Sequence, residues 1–377
     1  MIGPIAIDYT PALTQGGGIG RYTRELIAAL AEQDQATLYR LFVAGETLET
    51  LPQPPGPNFT WAPSRWSPAW FARIWHRLQL PLPIEYWTGP VRLLHAPDFT
   101  LPPTQRRTRT LLTVHDLSFV REPHASPPQL RNYLNRTVPK AVQRADRILA
   151  DSYATKQDLL DLYRVPEGKI HVLYSGVHDR FYPVRDPILV ARVRNRYKIG
   201  NAPYIFSVGT IQPRKNYDRL VEAFHQLGRS DMLLVIAGAR GWLDNPLYRH
   251  VAERGLADRV RFIGFVPDED LPVLYSAAAV FAFPSLYEGF GLPPLEAMAC
   301  GVPVLVSNQS SLPEVVGDAG VLVDPYNIDE IAGGLARLLD DENLRNTLIN
   351  RAQLRVQSFT WRTAARQLRE HYKELVG

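Results

Sequence analysis

Short apolar runs alternate with amphipathic stretches along most of the chain. The runs that are apolar nearly throughout occupy residues 5–8, 38–43, 93–95, 111–114, 147–150 and 170–173 in the first half and 204–208, 232–237, 260–263, 280–283, 302–306 and 320–323 in the second. Such runs predict strands that are buried on both faces, and helices between successive strands predict parallel pairing. We therefore expect an α/β protein with two Rossmann-like, doubly wound parallel sheets.

Length and composition agree with two hydrophobic cores rather than one. The chain has 377 residues, of which 45% are hydrophobic, whereas a single core rarely extends beyond about 250–300 residues. We predict an N-terminal domain over residues 1–183 and a second domain over residues 184–358, with the linker near 182–187. Residues 359–377 form a final segment that carries one more helix.

Two carboxylates flank a glycine-rich turn in the second half of the chain. Glu288 is followed by Gly-Phe-Gly-Leu-Pro-Pro-Leu and then by Glu296. Because a proline disfavours helical geometry in the residue before it, the next helix is predicted to begin at Pro294. Glu288 then lies in the loop and Glu296 in the first turn. Carboxylates accept hydrogen bonds from sugar hydroxyls, so the pattern favours a polyhydroxy ligand.

Each acid taken alone also has an ordinary explanation. Glu288 is consistent with an exposed loop acid, and Glu296 with a first-turn acid that complements the helix dipole. The backbone of the turn adds to the ligand-binding hypothesis, because the N–H groups of Phe290, Gly291 and Leu292 precede the predicted helix start. Amides at such a position favour a negatively charged group. We therefore predict that these donors face the same ligand as Glu288.

Two cations follow the first predicted strand of the second half. Arg214 and Lys215 come after the run at 204–208, and a helix is predicted from about Asn216. In open α/β sheets, ligands bind beyond the carboxyl ends of the strands. An arginine contacts phosphate through two N–H groups and a lysine acts as a point charge, so the pair suits a diphosphate. A solvated basic loop is the alternative.

A run of three glycines that includes Gly17 and Gly18 separates the first predicted strand from an amphipathic stretch at 22–30. Glycines at a turn between a strand and a helix let a ligand approach the backbone. The run is not a complete G-x-G-x-x-G fingerprint, so a dinucleotide site is not predicted. By itself the run is also consistent with a flexible loop.

His115 follows the apolar run at 111–114 and is therefore expected at the carboxyl edge of a strand. It is a candidate site residue, although a hydrogen-bonded structural histidine would fit the same position. Weaker candidates are His95, His124 and Asp98, and no spacing of His, Asp or Glu indicates a metal site. The single cysteine, Cys300, excludes an intramolecular disulfide and is expected to be a small buried residue.

Together and in this order, these motifs resemble the retaining glycosyltransferases of family four, which have the two-domain glycosyltransferase-B fold. The resemblance spans nearly the whole chain and looks closest to mannosyltransferase-like members. Besides the glycines, the basic pair and the two glutamates, the motifs that carry it are Thr113-Val-His115-Asp116, Asp151-Ser152-Tyr-Ala-Thr155, Ser175-Gly-Val-His-Asp-Arg-Phe-Tyr-Pro183 and Ser311-Leu-Pro-Glu314.

The resemblance implies a donor site in a central cleft that the two domains face, with the final helix crossing back to the N-terminal domain. It implies that Arg214 and Lys215 stabilise a leaving diphosphate, that Glu288 holds donor hydroxyls and that Glu296 reaches the nucleotide ribose. His115 would contact the donor sugar, and its role as a base stays open. The other implied donor-binding residues are Gly17, Gly18, Val266, Phe290, Gly291 and Leu292. The acceptor-binding residues are not assigned.

The activity implied is a retaining, metal-independent transfer of a hexose from a nucleotide-diphosphate sugar to a saccharide or lipid-linked saccharide in cell-surface glycan synthesis. Mannose from GDP-mannose is favoured over UDP-sugars, and no cofactor is expected. The alternatives are a nucleotide-sugar-binding protein without turnover, a UDP-sugar-dependent glucosyltransferase of the same fold, and a phosphorylase or epimerase.

The charge pattern adds one further hypothesis. The net charge is +4, and the whole excess of Lys and Arg lies in residues 1–190. Within that half, residues 61–80 combine four tryptophans and three arginines with no acid, which is typical of a membrane interface. Packing of the tryptophans in a core, with solvated arginines, is the alternative. Nucleic acid is not an expected partner. The first residues lack a signal peptide pattern, so we expect a cytoplasmic location, and the membrane hypothesis would place the protein at the inner face of the plasma membrane.

Overall fold

The computed structural model describes residues 3–241 and 245–377, and these residues form two compact units. Unit 1 contains the described residues up to Leu117 together with Pro128–Gly176 and Trp361–Gly377. Unit 2 contains Ser118–Pro127 and the described residues of Val177–Thr360. The grouping therefore changes at Gly176, whereas the sequence boundary was placed at residue 183.

Each unit is built around one parallel sheet. The strands described in unit 1 are β1 (Ile5–Asp8), β2 (Tyr39–Ala44), β3 (Phe59–Ser64), β4 (Leu93–Ala96), β5 (Arg109–Val114), β6 (Arg147–Ala150) and β7 (Ile170–Val172), in the spatial order β3-β2-β1-β4-β5-β6-β7. Those described in unit 2 are β8 (Tyr204–Val208), β9 (Leu233–Ala237), β10 (Val260–Gly264), β11 (Val280–Phe283), β12 (Val304–Ser307) and β13 (Val321–Val323), in the order β10-β9-β8-β11-β12-β13.

Helices separate most of the strands. In chain order they are α1 (Thr10–Thr14), α2 (Gly18–Gln33), α3 (Pro68–Phe71), α4 (Glu85–Thr88), α5 (Ser118–Arg121), α6 (Pro128–Arg144), α7 (Tyr153–Tyr163), α8 (Pro187–Arg196), α9 (Tyr217–Gln226), α10 (Asn245–Glu253), α11 (Leu271–Ser276), α12 (Leu292–Ala299), α13 (Leu312–Val316), α14 (Ile328–Asp340), α15 (Glu342–Val356) and α16 (Trp361–Val376). Helix α16 packs on α2 within unit 1. Of the helices described, none is long and apolar enough to cross a membrane.

Both faces of the unit 2 sheet are covered, which explains why its strands are apolar throughout. Along β8, Tyr204 and Phe206 belong to one hydrophobic core, whereas Ile205 between them belongs to the other. Neighbouring β11 alternates in the same way, with Phe281 in the first core and Val280 in the second. Because successive side chains of a strand point to opposite faces, a strand covered on both sides needs an apolar residue at every position.

The strand order reverses once in each sheet. In unit 1 the chain runs outward from β1 through β2 to β3 and then returns to the other side of β1 with β4. In unit 2 it runs from β8 through β9 to β10 and then returns beside β8 with β11. The loops after two such strands diverge and leave a crevice, which is where open α/β sheets bind their ligands. The residues that follow β1, β4, β8 and β11 are therefore well placed to bind one.

Two features differ from the sequence expectation. Strand β3 was not predicted, because it contains Pro63 and lies within the segment that was interpreted by its tryptophans and arginines. It is the outermost strand of its sheet, and an edge strand tolerates a proline because one of its sides makes no ladder hydrogen bonds.

The second difference concerns the helix of Glu296. Helix α12 begins at Leu292, not at Pro294, so Glu296 is its fifth residue and lies beyond the first turn. The N–H groups of the first turn have no intrahelical acceptor, so Pro293 and Pro294 cost no hydrogen bond at these positions. The prediction that Glu296 lies in the first turn was therefore wrong.

Candidate active site

Three of the predicted site residues form one buried cluster in unit 2, at the crevice between β8 and β11. Arg214 and Lys215 lie in a 3₁₀ turn, Pro213–Lys215, that follows β8, and Glu288 lies in the loop that follows β11. The Nη1 atom of Arg214 is 2.7 Å from Oε2 of Glu288, and the Nζ atom of Lys215 is 2.7 Å from Oε1. Each carboxylate oxygen therefore has its own cation.

The cluster holds Glu288 in its charged form. Burial alone would raise the pKa of the Glu288 carboxyl, but Arg214 and then Lys215 outweigh that effect and lower it to about 2. The side chains of Lys215 and Glu288 are only 9% and 10% exposed, so solvent screens the attraction weakly. The Lys215 ammonium also lies 4.5 Å from the centre of the Phe283 ring. Two cations and one anion leave the cluster with a net positive charge.

Backbone and hydroxyl groups fasten the loop that carries Glu288. The Leu286 N–H donates to the carbonyl of Arg214, and the Arg214 guanidinium donates to the carbonyl of Tyr287. On the other side, the Glu288 N–H donates to the hydroxyl of Ser310, and the Ser311 hydroxyl lies 2.9 Å from the Glu288 carbonyl oxygen. The carboxylate is thus placed by its own main chain as well as by its cations.

Asn216 fixes the turn that carries the two cations. It adopts a left-handed conformation with φ of 61°, and its side-chain amide donates to the carbonyls of Pro284 and Pro325 at 2.9 and 2.7 Å. Its side-chain oxygen accepts a hydrogen bond from Arg219 in helix α9. The amide therefore connects the ends of β8, β11 and β13 through groups that are buried.

Replacing Asn216 by glycine should destabilise the protein by about 1–3 kcal/mol, because two buried carbonyls lose their donor while the left-handed backbone remains allowed. Asn216→Ala should cost about 1 kcal/mol more, because alanine is strained in that conformation. Denaturant midpoints of both variants and of the wild type would measure this. Equal midpoints for the glycine and alanine variants would show that the backbone conformation at residue 216 is not maintained.

The turn before helix α12 needs its glycine. Gly291 has φ of 119°, and a Cβ atom there would lie 2.8 Å from a methyl group of Leu312. Among the residues that the structure describes, the N–H groups of Gly291 and Leu292 have no acceptor. The Phe290 carbonyl is 2.6 Å from the hydroxyl of Ser311, which holds the turn in place. These two amides are thus available to a ligand at the N-terminus of α12.

Glu296 lies deeper than Glu288. It is 2% exposed, and its Oε2 accepts a hydrogen bond from the hydroxyl of Tyr275 at 2.9 Å. Cys300 caps the other end of α12 and is buried, as the sequence suggested, and burial raises the pKa of its thiol. Among the remaining candidates in unit 2, the side chain of Val266 belongs to the hydrophobic core, so the side chain is not a ligand-binding group.

The neighbour of Val266 was missed by the sequence analysis. Phe265 follows β10 and is 67% exposed, at the carboxyl edge of the unit 2 sheet. A large exposed aromatic residue at such an edge can stack on a planar ligand. The sequence does contain a signal for Phe265, because an aromatic residue stands directly after a predicted strand and a glycine.

In unit 1, His115 connects the carboxyl ends of three adjacent strands. It follows β5, its Nε2 lies 2.7 Å from the carbonyl oxygen of Pro97 after β4, and its Nδ1 lies 2.7 Å from Oδ2 of Asp151 after β6. A carbonyl only accepts hydrogen bonds, so Nε2 carries a hydrogen in this arrangement. Because Nδ1 is engaged by the Asp151 carboxylate, neither ring nitrogen is open to remove a proton from a substrate.

The charge of His115 follows from its partners. Burial alone would lower the pKa of the imidazole, but the Asp151 carboxylate, assisted by Asp98 and the Pro97 carbonyl, raises it to about 9. The ring packs edge to face against Tyr22 and Phe99. His115 and Asp151 thus form a buried ion pair at neutral pH.

The crevice between β1 and β4 in unit 1 contains two carboxyl groups, those of Asp98 and Asp8. Asp98 follows β4 and accepts a hydrogen bond from the side-chain amide of Gln15 at 2.8 Å. Asp8, at the end of β1, was not considered, and burial raises its pKa to about 6. An aspartate that ends a buried strand was the signal for Asp8.

The glycine run lies at the N-terminus of the long helix α2, which Gly17 caps. A Cβ atom at Gly17 or Gly18 would meet no atom within 4 Å, so protein packing does not require glycine at either position.

Of the two weaker histidine candidates, His95 is fully buried between Tyr372 and Thr113, and burial lowers its pKa to about 3. His124 lies in the 3₁₀ turn Pro123–Ala125 of unit 2 and is exposed. Within the described ranges, no group of three or more His, Cys, Asp or Glu could hold a metal ion.

Comparisons with known proteins identify the family. Residues 16–181 match the family described as Glycosyltransferase Family 4, and residues 191–355 match the family described as Glycosyl transferases group 1. The O-antigen chain mannosyltransferase B of Escherichia coli is 34% identical over 375 residues, which cover 95% of this chain and 96% of that protein. The chain belongs to this glycosyltransferase family.

Two further relatives of this glycosyltransferase are informative. The serotype-specific mannosyltransferase WbdA of Escherichia coli is 30% identical over 294 residues, which cover 75% of this chain and 36% of that protein. The solved structure of sucrose-phosphate synthase from Thermosynechococcus elongatus has 25% identity and a TM-score of 0.77, covering 99% of this chain and 98% of that one. The expected glycosyltransferase-B fold, with two Rossmann-like parallel-sheet units, is confirmed.

The candidate residues of this glycosyltransferase are distributed between the two family matches. The glycine run and His115 fall within residues 16–181, whereas the cluster of Arg214, Lys215 and Glu288 falls within residues 191–355. Unit 2 therefore holds the two cations and Glu288, and unit 1 holds His115.

Proposed function

We propose that this glycosyltransferase is a retaining, metal-independent hexosyltransferase that transfers mannose from GDP-mannose to a saccharide or lipid-linked saccharide. The observation that carries the proposal is the buried cluster of Arg214, Lys215 and Glu288 at the crevice between β8 and β11. It combines a positive charge for a diphosphate with a carboxylate for sugar hydroxyls. We assign donor binding to unit 2 and acceptor binding to unit 1.

The charges in the cluster suit the leaving group. Departure of a nucleoside diphosphate develops negative charge on the bridging oxygen, and preorganised cations lower the energy of that state. Arg214 and Lys215 supply the cations, and the N–H groups of Gly291 and Leu292 add neutral donors at a helix N-terminus. In this proposal the two side chains perform the neutralisation that a metal ion performs in other transferases.

The transfer step exchanges one bond at the anomeric carbon for another. The bond between the anomeric carbon and the diphosphate oxygen breaks, and a bond from an acceptor hydroxyl oxygen to the anomeric carbon forms on the same face. The acceptor proton moves to the leaving diphosphate, so no protein base is required. This agrees with the geometry of His115, whose two ring nitrogens are both engaged.

The anionic Glu288 serves the sugar in two ways. Its carboxylate accepts hydrogen bonds from donor hydroxyls, and its negative charge stabilises the positive anomeric centre that develops during the step. We further assign Glu296 to the ribose and the backbone at Val266 to the base. His115 contributes by holding the end of β4 in place through its hydrogen bond to the Pro97 carbonyl.

Mannose is proposed because the full-length relative is named a mannosyltransferase. That relative acts in O-antigen chain synthesis by its name, so we propose a growing polysaccharide as the acceptor and a role in cell-surface glycan synthesis. In this proposal the saccharide is carried on a lipid, and the enzyme makes peripheral contact with the inner face of the plasma membrane through residues 61–80.

Thermal shifts with GDP, UDP and ADP test the donor class first. We expect GDP at about 100 times its dissociation constant to stabilise the protein by about 2.7 kcal/mol, and UDP and ADP to do so less. The variant Arg214→Ala should lose most of the shift, whereas Arg229→Ala, an exposed pair with Asp340, should keep it. A larger shift with UDP would replace GDP-mannose by a UDP-sugar.

Turnover separates an enzyme from a binding protein. Incubation with GDP-mannose and a mannose-terminated oligosaccharide should release GDP and extend the oligosaccharide, and NMR of the product should show the anomeric configuration of the donor. Donor binding without extension of any acceptor would support the nucleotide-sugar-binding alternative. A product of inverted configuration would contradict retention.

A further inference from the structure

Unit 1 exposes large apolar side chains in one short segment, residues 65–80. Four of them are close to half exposed or more, namely Trp66 at 49%, Trp70 at 54%, Leu78 at 61% and Leu80 at 48%. Exposed apolar side chains mark an interaction surface where they form a patch, and these four lie within one short segment of the chain. We call these four residues the apolar rim.

The segment under the rim is firmly packed. Phe71 and Trp75 are buried, their ring centres lie 4.3 Å apart, and both contact Phe42 of strand β2. The indole N–H of Trp75 donates to the carbonyl of Leu82. The four tryptophans in residues 61–80 are thus divided, because Trp61 and Trp75 pack inward while the other two face solvent. Trp61 and Trp75 therefore follow the core-packing alternative, whereas Trp66 and Trp70 are exposed.

The charge around the rim has one sign. Arg65, Arg73 and Arg77 are exposed, and residues 60–84 contain no Asp or Glu. In the part of the chain that the structure describes, no carboxylate pairs with any of these three guanidinium groups. Unpaired arginines on a packed apolar surface provide a complementary surface for anions.

A cavity of about 530 Å³ lies beside the rim. Its lining includes Trp70, Arg73 and Arg77 together with Tyr133 of helix α6. Residues Ala72–Arg77 form a π-helix, a rare conformation that is frequently found at functional sites. The Arg73 guanidinium lies 5.4 Å from the centre of the Trp70 ring. Among the residues that the structure describes, no carboxylate or carboxamide side chain lines the cavity, although such groups usually bind sugar hydroxyls.

We propose that this cavity binds the phosphate group of an anionic lipid and that the apolar rim enters the same membrane. Guanidinium groups bind phosphate through paired N–H groups, and tryptophan and leucine partition into the interfacial region of a bilayer. The charge selects a negatively charged lipid surface over a neutral one. The inference deepens the proposed function, because it rests on an acceptor that is carried on a lipid.

Vesicle flotation tests the site without any turnover. The wild type should bind vesicles that contain about one third phosphatidylglycerol and should bind phosphatidylcholine vesicles far less. The double variant Arg73→Glu/Arg77→Glu should bind the anionic vesicles at least about 30-fold more weakly, because each cation near the surface contributes about 1 kcal/mol. Trp70→Ser should weaken binding while leaving the net charge unchanged.

A matched control carries the same change of charge elsewhere. Arg185 and Arg192 are exposed in unit 2, so Arg185→Glu/Arg192→Glu lowers the net charge by the same amount. Unchanged vesicle binding by this control supports a local site. Equal loss in both double variants would mean that overall charge drives binding, which would overturn the proposal.

Two soluble probes distinguish other occupants of the cavity. Inorganic phosphate and glycerol 3-phosphate should compete only weakly with anionic vesicles, since neither engages the rim. If either probe binds the wild type tightly while vesicles do not bind, the site serves a free phosphate and the lipid proposal fails. Tight binding of a single-stranded oligonucleotide that the Arg73→Glu/Arg77→Glu variant loses, without vesicle binding, would likewise overturn it.

The outcomes for the lipid site and for the proposed function are separable. The Arg73→Glu/Arg77→Glu variant should keep the wild-type thermal shift with nucleotide and the wild-type transfer rate to a soluble oligosaccharide. Vesicle binding without any sugar transfer would leave the lipid site in place and refute the transferase. Transfer without vesicle binding would do the opposite.

Discussion

Replacing Glu288 by glutamine is expected to reduce the rate of sugar transfer by roughly 10²–10³-fold while the protein stays folded, an effect typical of removing one preorganised electrostatic group. Glutamine has nearly the same shape and still accepts one hydrogen bond, so the change isolates the negative charge. The measurement is kcat with saturating donor for the variant, for the wild type, and for Glu253→Gln, a control on the exposed end of α10.

The same substitution should affect nucleotide binding differently. Without the carboxylate, the cluster keeps both cations and gains one unit of net positive charge, so GDP should bind at least as tightly as to the wild type. Because the pKa of Glu288 is held at about 2, its protonation should not contribute to any loss of activity between pH 8 and pH 5. Transfer within about tenfold of the wild type would contradict the role assigned to this carboxylate.

Removing the partner of the buried histidine should have the second large effect. Asp151→Ala leaves His115 without its counter-charge in a site where both residues are 6% exposed, and breaking such a pair costs about 3–5 kcal/mol. The midpoint of thermal unfolding, measured at pH 6.5, should fall by several degrees. Asp161→Ala, at the exposed side of helix α7, removes an acid of the same charge and should leave the midpoint nearly unchanged.

The pH dependence of stability provides an independent check on this pair. The folded pKa of His115 lies at about 9, above its ordinary value of 6.5. A raised pKa contributes stability that is complete below the ordinary value and is lost as the pH rises through the folded value. Wild-type stability should therefore decline between pH 6.5 and pH 9, and Asp151→Asn should remove most of that decline. An unchanged slope in the variant would show that His115 is not a buried cation.

The strand pattern was largely accessible from the sequence because it depends on local physics. A strand buried on both faces needs an apolar residue at every position, and the runs at 204–208 and 280–283 coincide with β8 and β11. The same rule overlooked β3, whose proline is tolerated only because no further strand pairs beyond it. The start of α12 was misplaced for a related reason. A proline disfavours helical geometry in the residue before it, but prolines are tolerated in the first turn of a helix, where they cost no hydrogen bond.

The sequence predicted which residues belong to the candidate site, but it did not predict how they contact one another. Position after a strand identified Arg214 and Lys215, and the glycine-rich turn identified Glu288. The sequence assigned the cations to a phosphate and the carboxylate to a sugar. The structure places all three in one cluster, with Lys215 and Glu288 73 positions apart in the chain. His115 was likewise a candidate, whereas its bonds to Pro97 and Asp151 depend on the order β4-β5-β6.

By itself, the sequence determined which segments become strands and helices and which chemical groups follow them, because both depend on the periodicity of neighbouring residues. The tertiary structure alone decided which of those groups meet. Strands β8 and β11 are adjacent although two other strands lie between them in the chain, and this adjacency brings the cations to Glu288. Charges that are exposed in separate loops become a buried, mutually compensating cluster only when the sheet has been assembled, since their attraction depends on distance and exclusion of water.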